Sequence, residues 1–466
     1  MNRQVRAANA IIQVLRGVSM PRGPLAAGKR AGPALWVYSL LPIVCSLFLG
    51  GCGGMTGMGN GQSSDLGSTN PFDVGSAFST PRTTVTSTLG SSFWEIEGLL
   101  ATPKIEIAKQ TTENSPGGDV VCREIYYDSP GANGKSLRIF AYYAFPAAKK
   151  GTKLPGIVWV HGGAHLASKE AVIEWASRGY AAISMDLPGK GGPDREGSRS
   201  EGPDMTDQNI FAVTPSPRNS FLYAAVNSVC RAISVLCASP EVDSTRIGVL
   251  GYSWGGVITL IANGIDNRIS AACDVFGAGY IPEESCWLGI TGKMTKKQLQ
   301  VWREHFDPSS YLAAQHGKTL FVGATQDTYY PLRAFLKTYQ AAKCAKALCL
   351  VPNKNHETDD TANADIVKWF DYALRSGPVL PTAKVVPSGD TIKVTAYGAR
   401  PVTAVSLVTA DGTDFTKAAW KSTELPAKDS AWTAAAPKPT TPYFITARDD
   451  GGALIVAEVR LPGTKR

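Results

Sequence analysis

The chain of 466 residues lacks a dense lysine and arginine run beyond its first 52 residues, and only 18% of it is charged. A phosphate backbone is bound through clustered cations, so the composition argues against nucleic acid as a partner. The formal charge of +8 misleads here. Residues 1–52 hold Arg3, Arg6, Arg16, Arg22, Lys29 and Arg30 and no acid; 47 basic residues less those six leave 41 against 39 acidic, a balance of +2. Also missing is any Cys-x-x-Cys pair among Cys122, Cys230, Cys237, Cys273, Cys286, Cys344 and Cys349. Structural zinc and thioredoxin-type chemistry therefore have no support. Cys344 and Cys349 straddle an expected helix-to-strand turn and could pair in an exported chain. Histidine is scarce, at five residues. Apolar residues are not: at 44% they exclude wholesale disorder, and the length allows up to three domains.

The amino-terminal charge has a neighbour that explains it. Ala34 to Gly51 is an apolar stretch preceded by Lys29-Arg30 and followed by Cys52, the order of a secretory signal. Leu49-Gly50-Gly51-Cys52 resembles the lipobox of bacterial lipoproteins, which implies that Cys52 is lipidated after cleavage and anchors the exported chain to a membrane. Residues 53–92 are rich in Gly, Ser, Thr and Asn with few aliphatics, and read as a disordered tether.

From residue 93 to 377 one pattern repeats: a short continuous apolar run, a Gly- or Asp-containing loop, then a helical stretch. The runs begin at Ile157, Ala181, Ile247, Ala271, Thr319 and Ala347. Without in/out alternation they predict parallel strands covered on both faces, in an α/β fold with a mostly parallel central sheet. Val120 to Tyr127 and Leu137 to Phe145 alternate and predict antiparallel edge strands. Ligands in such sheets lie beyond the strands' carboxyl ends, so the residues after each run are the candidates for chemistry.

Gly251-Tyr252-Ser253-Trp254-Gly255 fits G-x-S-x-G, with a buried strand leading in and an apolar helix leading out, the setting of a nucleophile elbow. A serine needs a base oriented by a carboxylate. His356 follows the last apolar run and Asp327 the one before, which gives the order Ser, Asp, His. Asp186 and Asp274 compete for the acid role but precede the strand that normally supplies it. His305 and His316 are expected at the surface. The oxyanion is assigned to backbone N–H groups of Trp254 and of Gly163 in His161-Gly162-Gly163-Ala164, with Ala164 second to Gly163. His161 reads as a buried structural residue. Two insertions, Lys190 to Arg218 and Tyr280 to Glu304, should overhang Ser253.

These residues carry a family resemblance. From Pro155 to Gly377 the chain resembles an α/β-hydrolase of the acetylxylan esterase and dienelactone hydrolase-like group, through Ser239-Pro240-Glu241-Val242-Asp243 leading into the elbow, Phe306-Asp307-Pro308-Ser309-Ser310-Tyr311-Leu312, and Gln326-Asp327-Thr328-Tyr329-Tyr330-Pro331. The resemblance implies cleavage of small acyl esters, often on plant polysaccharides, without a cofactor. The elbow departs from it, with Tyr-Ser-Trp where acetylxylan esterases commonly carry Gly-Ser-Gln. A prolyl-oligopeptidase-like peptidase is a second reading, since those elbows similarly favour an aromatic beside Ser. A third is a non-catalytic surface binding protein using residues 378–466, where short β-rich runs separated by Asp-Gly and Pro turns predict a small β-sandwich. Trp420 and Trp432 there are assigned to packing rather than to sugar stacking.

Overall fold

The computed structural model describes residues 91–462 except 148–150, 164, 190–196 and 429–430. The signal, Cys52 and nearly all of the tether lie outside the described residues, as does Ala164. A helical turn, Ser91–Trp94, begins inside the stretch read as tether.

Nine strands form the main sheet: β1 (Ile105–Glu113), β2 (Val120–Pro130), β3 (Ser136–Pro146), β4 (Leu154–Val160), β5 (Ala181–Met185), β6 (Val242–Tyr252), β7 (Ile269–Val275), β8 (Lys318–Ala324) and β9 (Lys346–Val351). Their order is β1-β2-β3-β5-β4-β6-β7-β8-β9. The steps from β1 to β5 are antiparallel, and those from β5 through β9 are parallel. Continuous apolar runs suit this sheet because each strand feeds two cores. On β4, Val158 and Val160 pack into one core and Ile157 into the other.

Helices cover both faces: α1 (Lys169–Ser177), α2 (Phe221–Ala238), α3 (Trp254–Ile265), α4 (Lys296–Phe306), α5 (Leu332–Ala341) and α6 (Asp360–Arg375). Side chains start several of them: Ser168 caps α1, Thr295 and Gln298 form a capping box on α4, and Asp359 caps α6. The chain runs from β4 to β5 on one side and then to β6 on the other. That reversal lies between the carboxyl ends of β4 and β6, the place where ligands bind in such sheets.

Past α6 the chain forms two four-stranded antiparallel sheets. One holds β10 (Thr382–Ser388), β11 (Thr391–Tyr397), β14 (Ala427–Lys428) and β15 (Ala431–Ala435); the other holds β12 (Val402–Ala410), β13 (Trp420–Glu424), β16 (Tyr443–Asp449) and β17 (Leu454–Arg460). Ile392, Val394 and Trp432 of the first meet Val405, Ile445 and Ala447 of the second in a shared core. Trp420 is buried among Phe321, Phe335 and Leu350 of the α/β body, so both tryptophans serve packing.

The pairing open to Cys344 and Cys349 does not form; the seven cysteines among the described residues are free. The two side chains enter different cores. Cys349 points into the core that holds Leu320 and Val322, whereas Cys344 packs with Phe321 and Leu348 on the opposite face and donates to Thr319 Oγ1 at 3.5 Å.

One contact between α6 and β17 is sensitive to protons. Asp365 is buried and accepts from Leu454 N–H with both carboxylate oxygens at 3.3 Å; Lys368 lies 3.4 Å away, and Arg448 acts at longer range. Burial, only partly offset by those cations, pushes its carboxyl up to about 6 from 3.8. A raised carboxyl favours the native state at low pH and loses that contribution as pH rises through about 6. The loss corresponds to roughly 3 kcal/mol. Asp365→Asn keeps an acceptor for Leu454 and removes the titration. Denaturant unfolding of both proteins at pH 4, 5, 6 and 7.5 should show the variant gaining on the native chain by about that amount across the series. A pH-independent difference would contradict the assignment.

Candidate active site

Ser253 sits between β6 and α3 with φ 58° and ψ −121°, a conformation that side chains rarely adopt. The flanking glycines make the turn possible. A Cβ on Gly251 would lie 2.0 Å from Gly255 O, and one on Gly255 would lie 2.4 Å from Val160 O. Ser253 N–H donates to Val275 O at 2.7 Å, which ties the elbow to the end of β7. Trp254 opens α3 and is buried; first-turn amides of a helix have no intrahelical acceptor, so its N–H is available beside the serine.

The loop after β4 passes directly under the nucleophile. Position 162 is tight, since a Cβ there would meet Ser253 Cβ and Tyr252 O at 3.0 Å. Gly163 is the roomier position: a Cβ there would lie 3.7 Å from Trp254 Cδ1 and 3.8 Å from Met205 Cε. His161 is fully buried. Its Nε2 accepts from Leu187 N–H at 3.0 Å, so Nδ1 carries the proton and donates to Gly162 O at 2.7 Å. It is a structural histidine.

His356 and Asp327 come together from the ends of β9 and β8, with His356 Nδ1 2.7 Å from Asp327 Oδ2. The other oxygen, Oδ1, accepts from Tyr329 N–H at 2.8 Å and Tyr330 N–H at 2.9 Å. Asp327 is 2% exposed, while the His356 side chain keeps 21% of its surface. The two loops are also joined to each other. Asn353 N–H donates to Thr325 Oγ1, Gln326 N–H to Lys354 O, and Thr328 N–H to Asn355 Oδ1, each at 2.9 Å.

Of the competing acids, Asp186 is fully engaged elsewhere and Asp274 only in part. Asp186 spends one oxygen on Ala167 N–H and the other on Arg199 N–H, both at 2.8 Å. Asp274 is fully buried behind the elbow, where burial holds its carboxyl well above the usual range; Oδ1 accepts from Gly277 N–H and Oδ2 has no partner. His305 and His316, expected at the surface, are half-buried. His305 stacks on Phe93 with ring centroids 4.0 Å apart, because the helical turn at Ser91–Trp94 covers it.

Aromatic side chains that sequence patterns did not single out connect the serine to the histidine. Phe276 lies 5.0 Å from the His356 ring, at the strand end that holds Ser253 N–H. Tyr330, 1% exposed, stacks at 6.0 Å on His356 and packs against Trp254 and Trp287. Its buried hydroxyl makes no hydrogen bond, and the Ser253 side chain is one of the polar groups that act on it. Burial pushes the Tyr330 phenol well up, so it remains a donor. The insertions supply the surroundings as expected: Trp287 packs 4.6 Å from Trp254 and donates to Asp207 Oδ1, and Trp302 stacks on Phe211. Tyr329, 47% exposed, leans over His356 at the mouth.

A sharp strand–serine–helix elbow at the reversal point of a mostly parallel sheet defines an α/β-hydrolase. Residues 91–277 match the family acetyl xylan esterase (AXE1), and residues 282–416 match PhoPQ-activated pathogenicity-related protein. An acetyl xylan esterase from Paenibacillus sp. R4 superposes with a TM-score of 0.52 at 22% identity, over 62% of this chain and 95% of that one. Acetyl Xylan Esterase 1 from Thermoanaerobacterium sp. JW/SL YS485 gives 0.50 at 18% identity, over 60% and 92%. The structural likeness shows the α/β-hydrolase fold, and the first family match supports a serine esterase of that type.

Proposed function

We propose that the chain is a serine-dependent carboxylic ester hydrolase that removes acetyl groups from carbohydrate esters through an acyl-enzyme. The hydrogen-bonded Asp327–His356 pair, at strand ends beside the Ser253 elbow, carries this reading. Ser253 Oγ attacks the ester carbonyl carbon as its proton passes to His356 Nε2. The negative oxygen that forms is held by N–H groups of Gly163 and Trp254. Collapse breaks the bond to the alcohol, which leaves with the proton from His356. Water then repeats the sequence and releases the acid. Tyr330, a buried hydroxyl donor facing Ser253, adds a third polar group to that centre.

Three observations support a neutral, sugar-borne ester. The AXE1 family match covers the elbow and the loop after β4. The exposed ring of Tyr329 offers a stacking face at the mouth. Residues beyond 52 are nearly balanced in charge, so an anionic substrate is not needed to explain the composition. The basic, apolar, Leu49-Gly50-Gly51-Cys52 order supports export and lipid anchoring of the chain at a bacterial membrane.

A panel of acetylated xylan, p-nitrophenyl acetate and a dipeptide anilide tests the substrate class. Acetate release from the first two without cleavage of the third is expected. Cleavage of the anilide alone would replace the esterase with a peptidase of the same fold.

A further inference from the structure

The β-sandwich meets the α/β body at one place that matters for chemistry. Gln326, immediately before Asp327, donates from Nε2 to Ala418 O at 3.0 Å. Asn353, three residues before His356, donates from Nδ2 to Trp420 O at 2.7 Å and accepts from Trp420 N–H through Oδ1 at 2.7 Å. Both ends of the Asn353 amide are thus spent on the backbone of one residue at the start of β13, the geometry of a two-bond strand pairing made by a side chain.

Asn353 has φ 57°, which asparagine tolerates better than most residues, and the turn aims its amide at the sandwich. Trp420 cannot drift from that position. Its ring is 4% exposed and packed on Phe444 and Phe415, in a core that also holds Phe321, Leu336 and Leu350 of the α/β body. The loops bearing acid and base are already bonded to each other through Thr325, Gln326 and Thr328. Their outer side rests on residues 418–420. The match to the second family, residues 282–416, likewise runs without a break from the acid and base loops into the sandwich.

From this we infer that the carboxy-terminal β-sandwich is a clamp on the catalytic loops, with Asn353 and Gln326 as positioning residues that hold Asp327 and His356 in register for Ser253. The assignment of roles rests on the esterase reading above; the clamp itself does not. A domain that merely captured polysaccharide would have no use for side chains of the acid and base loops in its attachment. Small displacements of a catalytic group cost rate rather than binding, so the clamp should register in kcat.

The decisive variant is Asn353→Gly in the full chain, because glycine keeps the backbone conformation and deletes only the amide. On p-nitrophenyl acetate kcat should fall about tenfold with KM within about twofold. In an Asp327→Asn background the same substitution should cost less than about twofold, since a residue that acts through the Asp–His pair has nothing left to position. Unchanged kcat, or an undiminished tenfold loss in that background, would overturn the positioning role. Hydrogen exchange supplies a readout independent of activity: protection should drop in residues 325–330 and 353–357, and unaltered protection there would overturn the clamp. If Asn353→Gly fails to fold, Gln326→Ala is read by the same measurements. A native chain without ester turnover but with exchange that responds to Asn353→Gly would sink the esterase reading and leave the clamp standing.

Discussion

Ser253→Ala should abolish ester hydrolysis, with kcat on p-nitrophenyl acetate about 10⁵- to 10⁶-fold lower and the fold intact. Alanine keeps the Cβ, so the strain of φ 58° and the contact with Gly162 are unchanged, and only the attacking oxygen is lost. The Ser253 side chain makes no capping hydrogen bond to α3, so its removal costs the helix no cap. Thermal unfolding should therefore stay within a few degrees of the native chain, while labelling by a fluorophosphonate should vanish. Residual turnover would come from the preorganised N–H donors alone. Undiminished turnover would show that Ser253 is not the nucleophile and that the elbow is a strained turn without chemistry.

That so much could be anticipated follows from which features are local. The elbow is written in adjacent residues: Gly251 and Gly255 are small because their Cβ atoms would strike backbone oxygens, and both the sequence motif and the steric map report that one fact. The parallel strands are buried on both faces, which leaves an unbroken apolar run in each. Strand β1 has no such mark. It forms the edge of the sheet with Ile105 and Ile107 exposed, so its alternation carries no burial signal. β13 and β15 are five residues long and bury little beyond Trp420, Ala431 and Trp432.

The site divides in the same way. Asp327 and His356 were legible because strand order places them at successive carboxyl ends, where the topology leaves few choices. The roles of Tyr330, Gln326 and Asn353 were not legible, since each depends on a neighbour distant in sequence. Tyr330 lies within the Gln326 to Pro331 stretch, but only the packing of Trp254, Trp287 and His356 around it places this buried tyrosine at the site. The pairing of Asn353 with Trp420 spans 67 residues and joins an α/β loop to a sandwich strand with no shared periodicity. The unmade Cys344–Cys349 pair is the converse case: closeness in sequence suggested a bond, but the two side chains pack into different cores.

The second large effect is expected at Asp327→Asn, with kcat about 10⁴-fold lower. The direction in which the amide must lie decides this. Oδ1 of Asp327 is held by two backbone donors, Tyr329 N–H and Tyr330 N–H. An asparagine must offer its carbonyl oxygen to that pair, which turns its NH₂ group toward His356 Nδ1. A donor there demands that Nδ1 be unprotonated, so the imidazole proton moves to Nε2. The nitrogen facing Ser253 then has no lone pair with which to accept the hydroxyl proton. Ground-state binding does not involve this switch, so KM should change little, and fluorophosphonate labelling should slow in parallel with turnover. Asp274 is, among the described residues, the one buried carboxyl near the elbow with an unpartnered oxygen, and it is therefore the rival acid. If Asp327→Asn kept activity within about tenfold of the native chain while Asp274→Asn lost it, the acid would lie at the end of β7. The Asp327–His356 bond would then be a structural one.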